Sequence, residues 1–480
     1  MNVLKDLKPT EVFKFFEELT TIPRTSGDEK RVSDYLVAFA KERKLEVFQD
    51  KALNVIIKKP GTSGYENSPT VIIQGHMDMV GEKSNKNKHD FTKDPLKLRI
   101  DGDFVYATDT TLGADNGIAV AFGLALLDSK EIPHPPVELL ITTNEETGMF
   151  GASALKTDPL DGKTLLNIDA EEEGVFFVSC AGGMAASVIF KPSFLRVNGT
   201  VLGISVTGLK GGHSGLEIIK QRANAVKLLG RVLNRLNGEL GIRLVSVKGG
   251  TKNNAIPREA YAAVSVSAKK YPRALEILQE MHAAFKNEYK VEDKGVKVEG
   301  APAKASRMMS LKDSNNIIRY MLIVPDGVQT MSKDLAGLVE SSLNLGVLEA
   351  KGRKLQFIHA VRSSVKSYKA EIGDRISALG ILTGGEVQVT GDYPEWQYEA
   401  NSKIRLIAIE TYKTLFKKDP EIKAIHAGLE CGILKEKLPE TDMISFGPNL
   451  YDVHTSEEHL SISSVERTWE FLKALLGKLK

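Results

Sequence analysis

The sequence has few cysteines and no long apolar run, and both absences narrow the class of protein. Cysteine occurs only twice in 480 residues, at Cys180 and Cys431. Their small, mostly apolar surroundings favour reduced, buried thiols over a disulfide or a metal site. No stretch contains the roughly 20 consecutive apolar residues that a membrane-spanning helix needs. The charged N-terminal segment lacks the apolar core of a secretion signal, so we expect a cytoplasmic protein.

An excess of charge of either sign is also absent. The chain carries 64 Lys and Arg against 62 Asp and Glu, which gives a formal net charge of +2. Proteins that bind nucleic acid or anionic membranes concentrate positive charge, and this balance gives no sign of it. We therefore expect neither nucleic acid nor a membrane as a partner.

Motifs that define several enzyme classes are missing as well. The sequence contains no Walker A motif, no CxxC, no HExxH and no GxGxxG loop opening a strand–helix–strand unit. Ser214 lies among glycines, but the segment 212–215 lacks the spacing of a nucleophile elbow. These absences argue against a serine hydrolase, a P-loop enzyme and a dinucleotide-binding enzyme.

The order of the apolar runs predicts an α/β fold with a mostly parallel sheet between helices. TVIIQG and VELLITT are strand-like, and LGADNGIAVAFGLALLDS between them is helix-like. This order implies parallel strands, and open α/β sheets bind ligands at the carboxyl ends of such strands. Near the N-terminus, Ser26 and Glu29 have the spacing of a capping box before an amphipathic helix.

A change of pattern after about Gly183, reversed near Trp396, predicts two domains. A chain of 480 residues exceeds the usual size of one hydrophobic core. We expect one α/β domain of residues 1–184 and 394–480, interrupted by an α+β insertion of residues 185–393 with antiparallel sheets. Within the insertion, AYAAVSVSAKKYPRALEILQEMH and LQFIHAVRSSVKSYKAEIGDRISALG both run strand, break, helix. This similarity of pattern favours a degenerate internal duplication.

Polar residues that follow the first of the predicted central strands have the chemistry of metal ligands. His76 and Asp78 come directly after TVIIQG and lie on the same side of an extended chain. Asp115 lies at a probable helix start, between glycines that permit close backbone approach. Each has an alternative role, because a single histidine is more often packed or hydrogen-bonded, and Asp115 is equally suited to cap the helix.

Carboxylates follow the other strand-like runs. Glu145 and Glu146 come after VELLITT, and Asp169 ends the run LLNID. Adjacent carboxylates at the end of a buried strand are costly unless metal or proton chemistry uses them, although a solvated loop is the alternative. Near the C-terminus, YDVHTSEEHLSI offers His454 and His459, and the residues themselves do not choose between the two.

Taken together, five ordered motifs resemble a known family. GHMDMV, LGADNG, NEETGMFGA, NIDAEEEG and GPNLYDVHTSEEHL resemble the M20 family of metallopeptidases, and the match spans nearly the whole chain. The long insertion and the segment HAGLECG resemble those of the aminoacyl-histidine dipeptidase branch of that family. The resemblance implies a catalytic dizinc peptidase domain with an inserted lid domain.

The resemblance also implies roles for the motif residues. One zinc ion is expected on His76 and Asp169, the second on Glu146 and His454, with Asp115 bridging the two. The peptide bond from Asp115 to Asn116 is expected to be cis. Asp78 would orient His76, as carboxylates do for metal-ligating histidines. Glu145 would act as general base. Cobalt and manganese also fit mixed histidine and carboxylate sites.

Four residues of the predicted substrate site come from the same resemblance. His213 matches a lid histidine that stabilises the tetrahedral oxyanion. Asn254, Arg362 and Gly428 match groups that hold the C-terminal carboxylate, a task that suits the planar fork of arginine. A structural role is the alternative for each of the four. If the insertion is duplicated, one chain supplies His213 to its own site; otherwise a partner subunit of a homodimer supplies it.

The predicted function is hydrolysis of unblocked dipeptides, of Xaa-His type, by metal-activated water. An N-acyl amino-acid amidohydrolase and a tripeptide aminopeptidase are alternatives on the same fold, because their metal ligands are shared. A metal-binding or partner-binding protein that has lost activity is a further alternative, against which the intact Glu145 argues.

Overall fold

The computed structural model describes residues 3–480, and these residues form two compact units. The first unit comprises the chain up to Ser179 together with Tyr398–Ala424 and Leu429–Lys480. The second comprises Cys180–Gln397 and Ile425–Gly428. Within residues 3–480, no helix is both long enough and apolar enough to cross a membrane. The roles that the sequence gives to its two expected domains remain predictions.

The N-terminal part of the chain alternates helices and strands. Its helices are α1 (Thr10–Thr20), α2 (Lys30–Glu42), α3 (Ala114–Asp128) and α4 (Phe150–Ala154). Its strands are β1 (Glu46–Gln49), β2 (Val55–Lys59), β3 (Val71–His76), β4 (Leu98–Asp101), β5 (Phe104–Ala107), β6 (Val137–Thr142), β7 (Thr164–Asn167) and β8 (Val175–Cys180).

The middle of the chain is richer in strands. The strands are β9 (Gly182–Phe190), β10 (Phe194–Arg196), β11 (Thr200–Thr207), β12 (Gly212–His213), β13 (Arg243–Gly249), β14 (Ala255–Ile256), β15 (Ala260–Val266), β16 (Lys297–Ala303), β17 (Arg307–Met309), β18 (Gly327–Met331), β19 (Val339–Lys351), β20 (Lys354–Ser363) and β21 (Glu386–Tyr393). The helices are α5 (Ala225–Leu240), α6 (Tyr271–Glu288), α7 (Leu311–Ile323) and α8 (Lys366–Leu382).

The C-terminal part returns to short strands and helices. The helices are α9 (Lys403–Phe416), α10 (Glu430–Lys437) and α11 (Ile462–Leu476). The strands are β22 (Glu421–Ile425), β23 (Asp442–Ser445), β24 (Leu450–Tyr451) and β25 (His459–Ser461).

The first unit is built on an eight-stranded sheet of order β1-β2-β6-β3-β7-β23-β8-β22. The four strands β6, β3, β7 and β23 are parallel, and the outer pairs β1–β2, β2–β6 and β23–β8 are antiparallel. β3 and β6 are buried along their whole length, as expected for strands covered on both faces. Helix α3 is apolar almost all round and is buried nearly throughout. The α/β class predicted from the order of the runs is confirmed.

The second unit contains a sheet of different character. Its strands follow the order β16-β11-β15-β13-β19-β20-β9-β21, β18 pairs with β19, and every recorded pairing is antiparallel. β15 followed by α6, and β20 followed by α8, reproduce the strand–break–helix pattern seen in the sequence. The duplication that this pattern favours stays a prediction.

Each unit has its own hydrophobic core. In the first, Phe122 stacks on Trp469 with ring centroids 5.7 Å apart, which joins α3 to α11. In the second, Tyr320 of α7 contacts Phe357 of β20 and Phe190 of β9 edge to face. Separate cores give each unit its own source of stability.

Candidate metal centre and substrate residues

The carboxyl ends of three neighbouring parallel strands bring the predicted first-unit residues to one edge of the sheet. β3 ends at His76, β6 is followed by Glu145 and Glu146, and β7 is followed by Asp169. Because these strands are parallel and adjacent, residues just beyond their ends meet at the same edge. The strands themselves are mostly apolar, and the carboxylates of the predicted site follow the point where each strand ends.

His76 is buried and lies among carboxylates. Its Nε2 atom is 3.2 Å from Oδ1 of Asp115 and 3.5 Å from Oδ1 of Asp169, and its Nδ1 atom is 3.4 Å from Oδ1 of Asp78. Burial by itself lowers the pKa of His76, but hydrogen bonds to these three carboxylates together raise it well above its ordinary value. An imidazole in such surroundings holds either a proton or another cation.

Asp115 lies between two histidines. Its Oδ1 atom faces His76, and its Oδ2 atom is 3.2 Å from Nε2 of His454. Nε2 of His454 is also 2.9 Å from Oε2 of Glu146, and these two carboxylates raise the pKa of His454 to about 11. The peptide bond from Asp115 to Asn116 is cis, as the resemblance predicted. One carboxylate with an imidazole at each oxygen has the form of a bridging ligand.

His459, the other histidine that the sequence offered, lies outside this cluster. Its Nδ1 atom is 2.8 Å from the backbone oxygen of Glu457, and its ring stacks on Tyr106 with centroids 4.7 Å apart. The geometry therefore chooses His454 as the histidine that joins the carboxylates.

Three residues of the cluster meet a simple geometric requirement for a metal site. His76, Asp115 and Glu146 each offer one ligand atom, and these atoms lie within 4.8 Å of one another. The donors are imidazole nitrogen and carboxylate oxygen, which are ligands that zinc accepts. Asp169 and His454 contact this group from either side, so the predicted set is brought together.

Asp78 fixes the loop that carries the two glutamates. Its carboxylate accepts the backbone N–H groups of Glu145 at 3.1 Å and of Glu146 at 3.3 Å. It also accepts a hydrogen bond from Oγ of Ser26 at 2.8 Å. Asp78 therefore ties His76 on one strand to the glutamates after another.

The capping box predicted from Ser26 and Glu29 is wrong. Helix α2 begins at Lys30 with no side-chain cap. Ser26 donates to Asp78 instead, and Oε1 of Glu29 accepts the N–H groups of Gly27 and Asn144. Both side chains support the loop before Glu145, because contacts distant in the chain win over the local cap.

Sequence reasoning missed a clamp on the Asp115 loop. The buried carboxylate of Glu458 accepts four backbone N–H groups at 2.8–3.3 Å, those of Leu112, Gly113, Ala114 and Asp115. Burial raises the pKa of Glu458 to about 7. Its position four residues after His454, in the same motif, is the only signal that could have suggested the role.

Arg24 supports the same loop from the other side. Its buried guanidinium donates to the backbone oxygens of Met77, Asp78 and Gly113. Burial lowers its pKa to about 10, so the side chain stays charged at neutral pH. A lone arginine in TIPRTSG gives no sequence signal for this, because all its partners are backbone groups far along the chain.

Glu145 has a carboxylate that resists ionisation in this environment. Burial raises its pKa well above the ordinary value, and Asp169, Glu430 and Glu146 add to the shift while His76 opposes it. Burial likewise raises the pKa of Glu430 to about 8, and its Oε2 atom accepts hydrogen bonds from Gln74 and Thr142 at 2.6 Å each. A cation bound among these acids would oppose both shifts.

In the second unit, His213 has a defined tautomer. Its Nδ1 atom accepts the backbone N–H groups of Gly215 at 3.2 Å and Leu216 at 3.0 Å. Because Nδ1 is an acceptor, the neutral ring carries its hydrogen on Nε2. Burial and the nearby Arg362 lower the pKa of His213, which favours this neutral form.

The other predicted substrate residues belong to the same unit. Strand β12 pairs His213 with Ala255 of β14, and the backbone oxygen of Asn254 accepts the N–H of Ser214 at 2.9 Å, while the Asn254 residue itself is exposed. A Cβ atom at Gly215 would lie 3.3 Å from Nε of Arg362 and 3.1 Å from Cε1 of His213, so these two side chains are neighbours.

Gly428 lies at the end of the short segment Ile425–Gly428 of this unit. Two residues before it, the buried His426 holds Oγ of Ser342 at 2.7 Å through its Nε2 atom. Burial and the charge of Arg362 lower the pKa of His426 to about 3, so its ring is neutral. The structure thus brings His213 and Arg362 together, with Asn254 and Gly428 on adjoining segments.

A group of imidazoles and carboxylates at the carboxyl edge of a parallel sheet is the arrangement expected of a metal-dependent hydrolase. The sequence model of Peptidase family M20/M25/M40 matches residues 72–478 of the chain. The chain therefore belongs to this family, and it is a peptide hydrolase. The M20 family is metal-dependent.

Comparison with individual proteins agrees with this assignment. Over its full length the chain is 38% identical to the cytosol non-specific dipeptidase of Escherichia coli, of which 99% is covered. The crystal structure of aminoacylhistidine dipeptidase from Vibrio alginolyticus superposes with a TM-score of 0.96 at 37% identity, covering 99% of this chain and 98% of that one.

A more distant relative shares only the fold. The aminopeptidase PepT of Bacillus cereus has a TM-score of 0.56 at 14% identity, with 98% of this chain and 99% of that chain covered. The family predicted from the five motifs is confirmed by these comparisons.

Proposed function

We propose that this protein is a cytoplasmic dizinc dipeptidase that hydrolyses the single peptide bond of unblocked dipeptides, with a preference for Xaa-His. The observation that carries the proposal is Asp115, whose two carboxylate oxygens face His76 and His454, with Asp169 and Glu146 beside them. The names of two full-length relatives, a non-specific dipeptidase and an aminoacylhistidine dipeptidase, agree on dipeptides and differ on the side chain.

The donor set suits two ions that share one carboxylate. His76 and Asp169 would hold one zinc, Glu146 and His454 the other, and Asp115 both. Such mixed nitrogen and oxygen sites also accept cobalt or manganese. The excess of acid supports this assignment, because burial raises the pKa values of Glu145, Glu146 and Asp169 even though His76 opposes each shift.

Two zinc ions bound by these residues would lower the pKa of a water molecule and polarise the scissile carbonyl. The protein's own residues manage the proton. Glu145 accepts the proton of the attacking water and returns it to the leaving amine. Its position is set by Asp78, which accepts the Glu145 N–H and contacts the ring of His76.

Residues of the second unit would bind the rest of the substrate. The N–H on Nε2 of His213 suits an oxyanion, because Nδ1 is already occupied by two backbone donors. Arg362, Asn254 and the backbone of Gly428 would hold the C-terminal carboxylate. His213 serves either its own chain or a partner in a homodimer. Mixing Glu145→Gln and His213→Ala subunits distinguishes the two arrangements.

The alternatives on the same fold are an N-acyl amino-acid amidohydrolase and a tripeptide aminopeptidase. They differ in whether the substrate has a free amine and in its length, and not in the metal ligands. A panel of dipeptides, tripeptides and N-acetyl amino acids separates all three.

The experiment uses metal-stripped protein, before and after zinc is restored, and measures the release of free amino acids. The panel should include several Xaa-His peptides, β-alanyl-histidine, and matched Xaa-Leu and Xaa-Ala peptides. We expect zinc-dependent cleavage confined to dipeptides and fastest for Xaa-His. Equal rates on all dipeptides would leave the class intact and remove the histidine preference. If the protein cleaves N-acetyl amino acids and no dipeptide, the proposed dipeptide substrate is wrong.

A further inference from the structure

Three residues form a row across the large sheet of the second unit. Gly183 of β9 pairs with Arg362 of β20 on one side and with Tyr393 of β21 on the other. Residues in such a row project from the same face of the sheet. Because strands lie about 4.8 Å apart, the two outer side chains can meet only above the middle strand.

They do meet, and the glycine makes room for the contact. Nη1 of Arg362 donates a hydrogen bond to the hydroxyl oxygen of Tyr393 at 3.0 Å. A Cβ atom at Gly183 would lie 2.5 Å from that oxygen, which is closer than any side chain tolerates. The missing side chain of Gly183 is therefore a requirement of this contact.

A β-bulge aims Tyr393 at this position. Thr390 lies opposite Ala185, but Tyr393 lies opposite Gly183, so β21 has one residue more than β9 over this interval. Gly391, within the bulge, has a φ of +62°, in the left-handed region that glycine adopts most readily. Without the extra residue, the side chain of Tyr393 would project from the opposite face.

A buried ammonium then fixes the backbone of Tyr393. Nζ of Lys369, at the start of α8, donates to the backbone oxygen of Tyr393 at 2.7 Å. The same nitrogen is 2.7 Å from a carboxylate oxygen of Asp392 and 3.0 Å from one of Glu395. The hydroxyl of Tyr393 is thus held in place from its own backbone as well as by Arg362.

The pair offers two further donors, the Tyr393 hydroxyl and Nε of Arg362. Arginine only donates, so the Tyr393 oxygen is the acceptor, and the phenol keeps its own hydrogen for another partner. Nε of Arg362 is shielded from solvent and has no hydrogen-bond partner among the described residues. A phenol hydroxyl next to a guanidinium with an unpaired N–H is suited to bind a carboxylate.

We propose that Tyr393 determines the requirement for a free C-terminal carboxylate, by holding the Arg362 guanidinium and by donating its own hydroxyl hydrogen to the substrate. The inference rests on the proposed function, in which Arg362 binds that carboxylate. It adds Tyr393, a residue that the sequence analysis did not single out.

The test compares Tyr393→Phe with the wild-type protein on a dipeptide and on the same dipeptide with a C-terminal amide. A hydrogen bond to a charged group corresponds to a change of about 10- to 100-fold. We expect the preference for the free acid, as the ratio of kcat/KM values, to fall by about that factor through KM, with kcat nearly unchanged. Tyr261→Phe is the matched control, because it removes an exposed hydroxyl bonded to Glu259 in the same sheet.

Two further variants separate this role from a purely structural one. Arg362→Ala alone and combined with Tyr393→Phe form a double-mutant cycle. If Tyr393 acts with Arg362, its replacement has much less effect once the guanidinium is gone. Gly183→Ala keeps the phenol, but its added methyl group would displace the hydroxyl oxygen of Tyr393. It should therefore raise KM for the free acid as Tyr393→Phe does, and it provides a second test if Tyr393→Phe folds poorly.

The results that would overturn the inference are distinct from those that would overturn the function. If wild-type protein cleaves dipeptides but folded Tyr393→Phe keeps the full preference for the free acid, the inference fails and the function stands. An equal loss of kcat on acid and amide would also overturn it. If the wild-type protein cleaves no dipeptide, the proposed function fails first and this inference fails with it.

Discussion

The two units organise their polar residues in opposite ways. In the first, the polar residues follow the ends of buried parallel strands and form one dense group of acids around His76 and His454. In the second, they come from an antiparallel sheet and its loops, and the group is rich in donors, with Arg362, His213 and Tyr393. Acid attracts cations, and donors attract anions. This contrast agrees with the proposal that one unit carries metal and proton chemistry and that the other recognises the substrate.

Among the variants that test this division between the units, Glu145→Gln should have the largest effect on activity. The amide keeps the shape of the side chain but cannot accept the proton, so we expect kcat to fall by about 100- to 10,000-fold. Metal content, measured by elemental analysis, should stay unchanged. Glu172→Gln, which changes an exposed glutamate paired with Lys423, is the control and should behave as wild type. Unchanged turnover in Glu145→Gln would remove Glu145 as the base.

His213→Ala removes the proposed oxyanion donor of the second unit. Loss of one such donor costs about 100- to 1,000-fold in kcat. Metal content should again be unaffected, since the residue belongs to the donor-rich group. Steady-state kinetics beside elemental analysis would check both expectations, and a loss of metal would contradict the division between the units.

Mixing the two inactive variants asks which chain His213 serves. If it serves its own chain, Glu145→Gln and His213→Ala subunits stay inactive together after exchange. Recovery of activity in the mixture would mean that a homodimer completes each site across its subunits. A mixture of each variant with itself is the control for the exchange procedure.

Glu458→Gln tests the support of the metal centre in the first unit. The neutral amide cannot accept four backbone N–H groups as the carboxylate does, so the loop before Asp115 should loosen. Residues that orient metal ligands typically change affinity by about 10- to 100-fold. We expect zinc to be lost to a competing chelator at correspondingly lower concentrations. Glu457→Gln, exposed and adjacent, should bind zinc normally.

Stability in acid provides a separate test, which concerns the core of the second unit. His359 is buried, its Nδ1 atom bonds the backbone oxygen of Ala186, and Nε2 bonds the hydroxyl of Tyr320. Burial lowers its pKa from 6.5 to about 4. Between pH 6.5 and about 4, His359 therefore binds a proton in the unfolded chain but not in the folded one.

Stability from this group is complete above pH 6.5 and decreases as the pH falls toward 4, by roughly 3 kcal/mol in all. Urea unfolding at a series of pH values would measure the slope. His359→Gln removes the titrating ring, so this part of the slope should disappear. An unchanged slope in the variant would assign the acid sensitivity to other groups.

Much of the metal centre could be predicted because each residue follows a recognisable strand. His76 and Asp169 directly follow TVIIQG and LLNI, and Glu145 comes two residues after VELLITT. Burial on both faces makes such strands apolar, so the change to polar residues is visible in the sequence. The residues alone do not choose between His454 and His459, since both lie in one polar loop. The family resemblance favoured His454, and the structure places it beside Asp115 and Glu146.

The contacts that support the metal centre could not be predicted, because they join residues that are far apart along the chain. Ser26 and Glu29 have the spacing of a local cap, yet they bond groups more than 50 residues away. Arg24 and Glu458 bond backbone atoms, which leave no pattern in side-chain identity. Tyr393 becomes visible only when the register of β21 on β9 is known, because a single extra residue decides its face.

The segment Ile425–Gly428 has a consequence for engineering. It belongs to the second unit although the chain on either side belongs to the first, so this unit is not one uninterrupted gene fragment. Ala181 donates its N–H to the backbone oxygens of Ile425 and Ala427, and Ser342 bonds His426. A transplanted fragment of residues 180–397 would lack all of these partners. Any modular exchange of this unit must carry a second, four-residue graft.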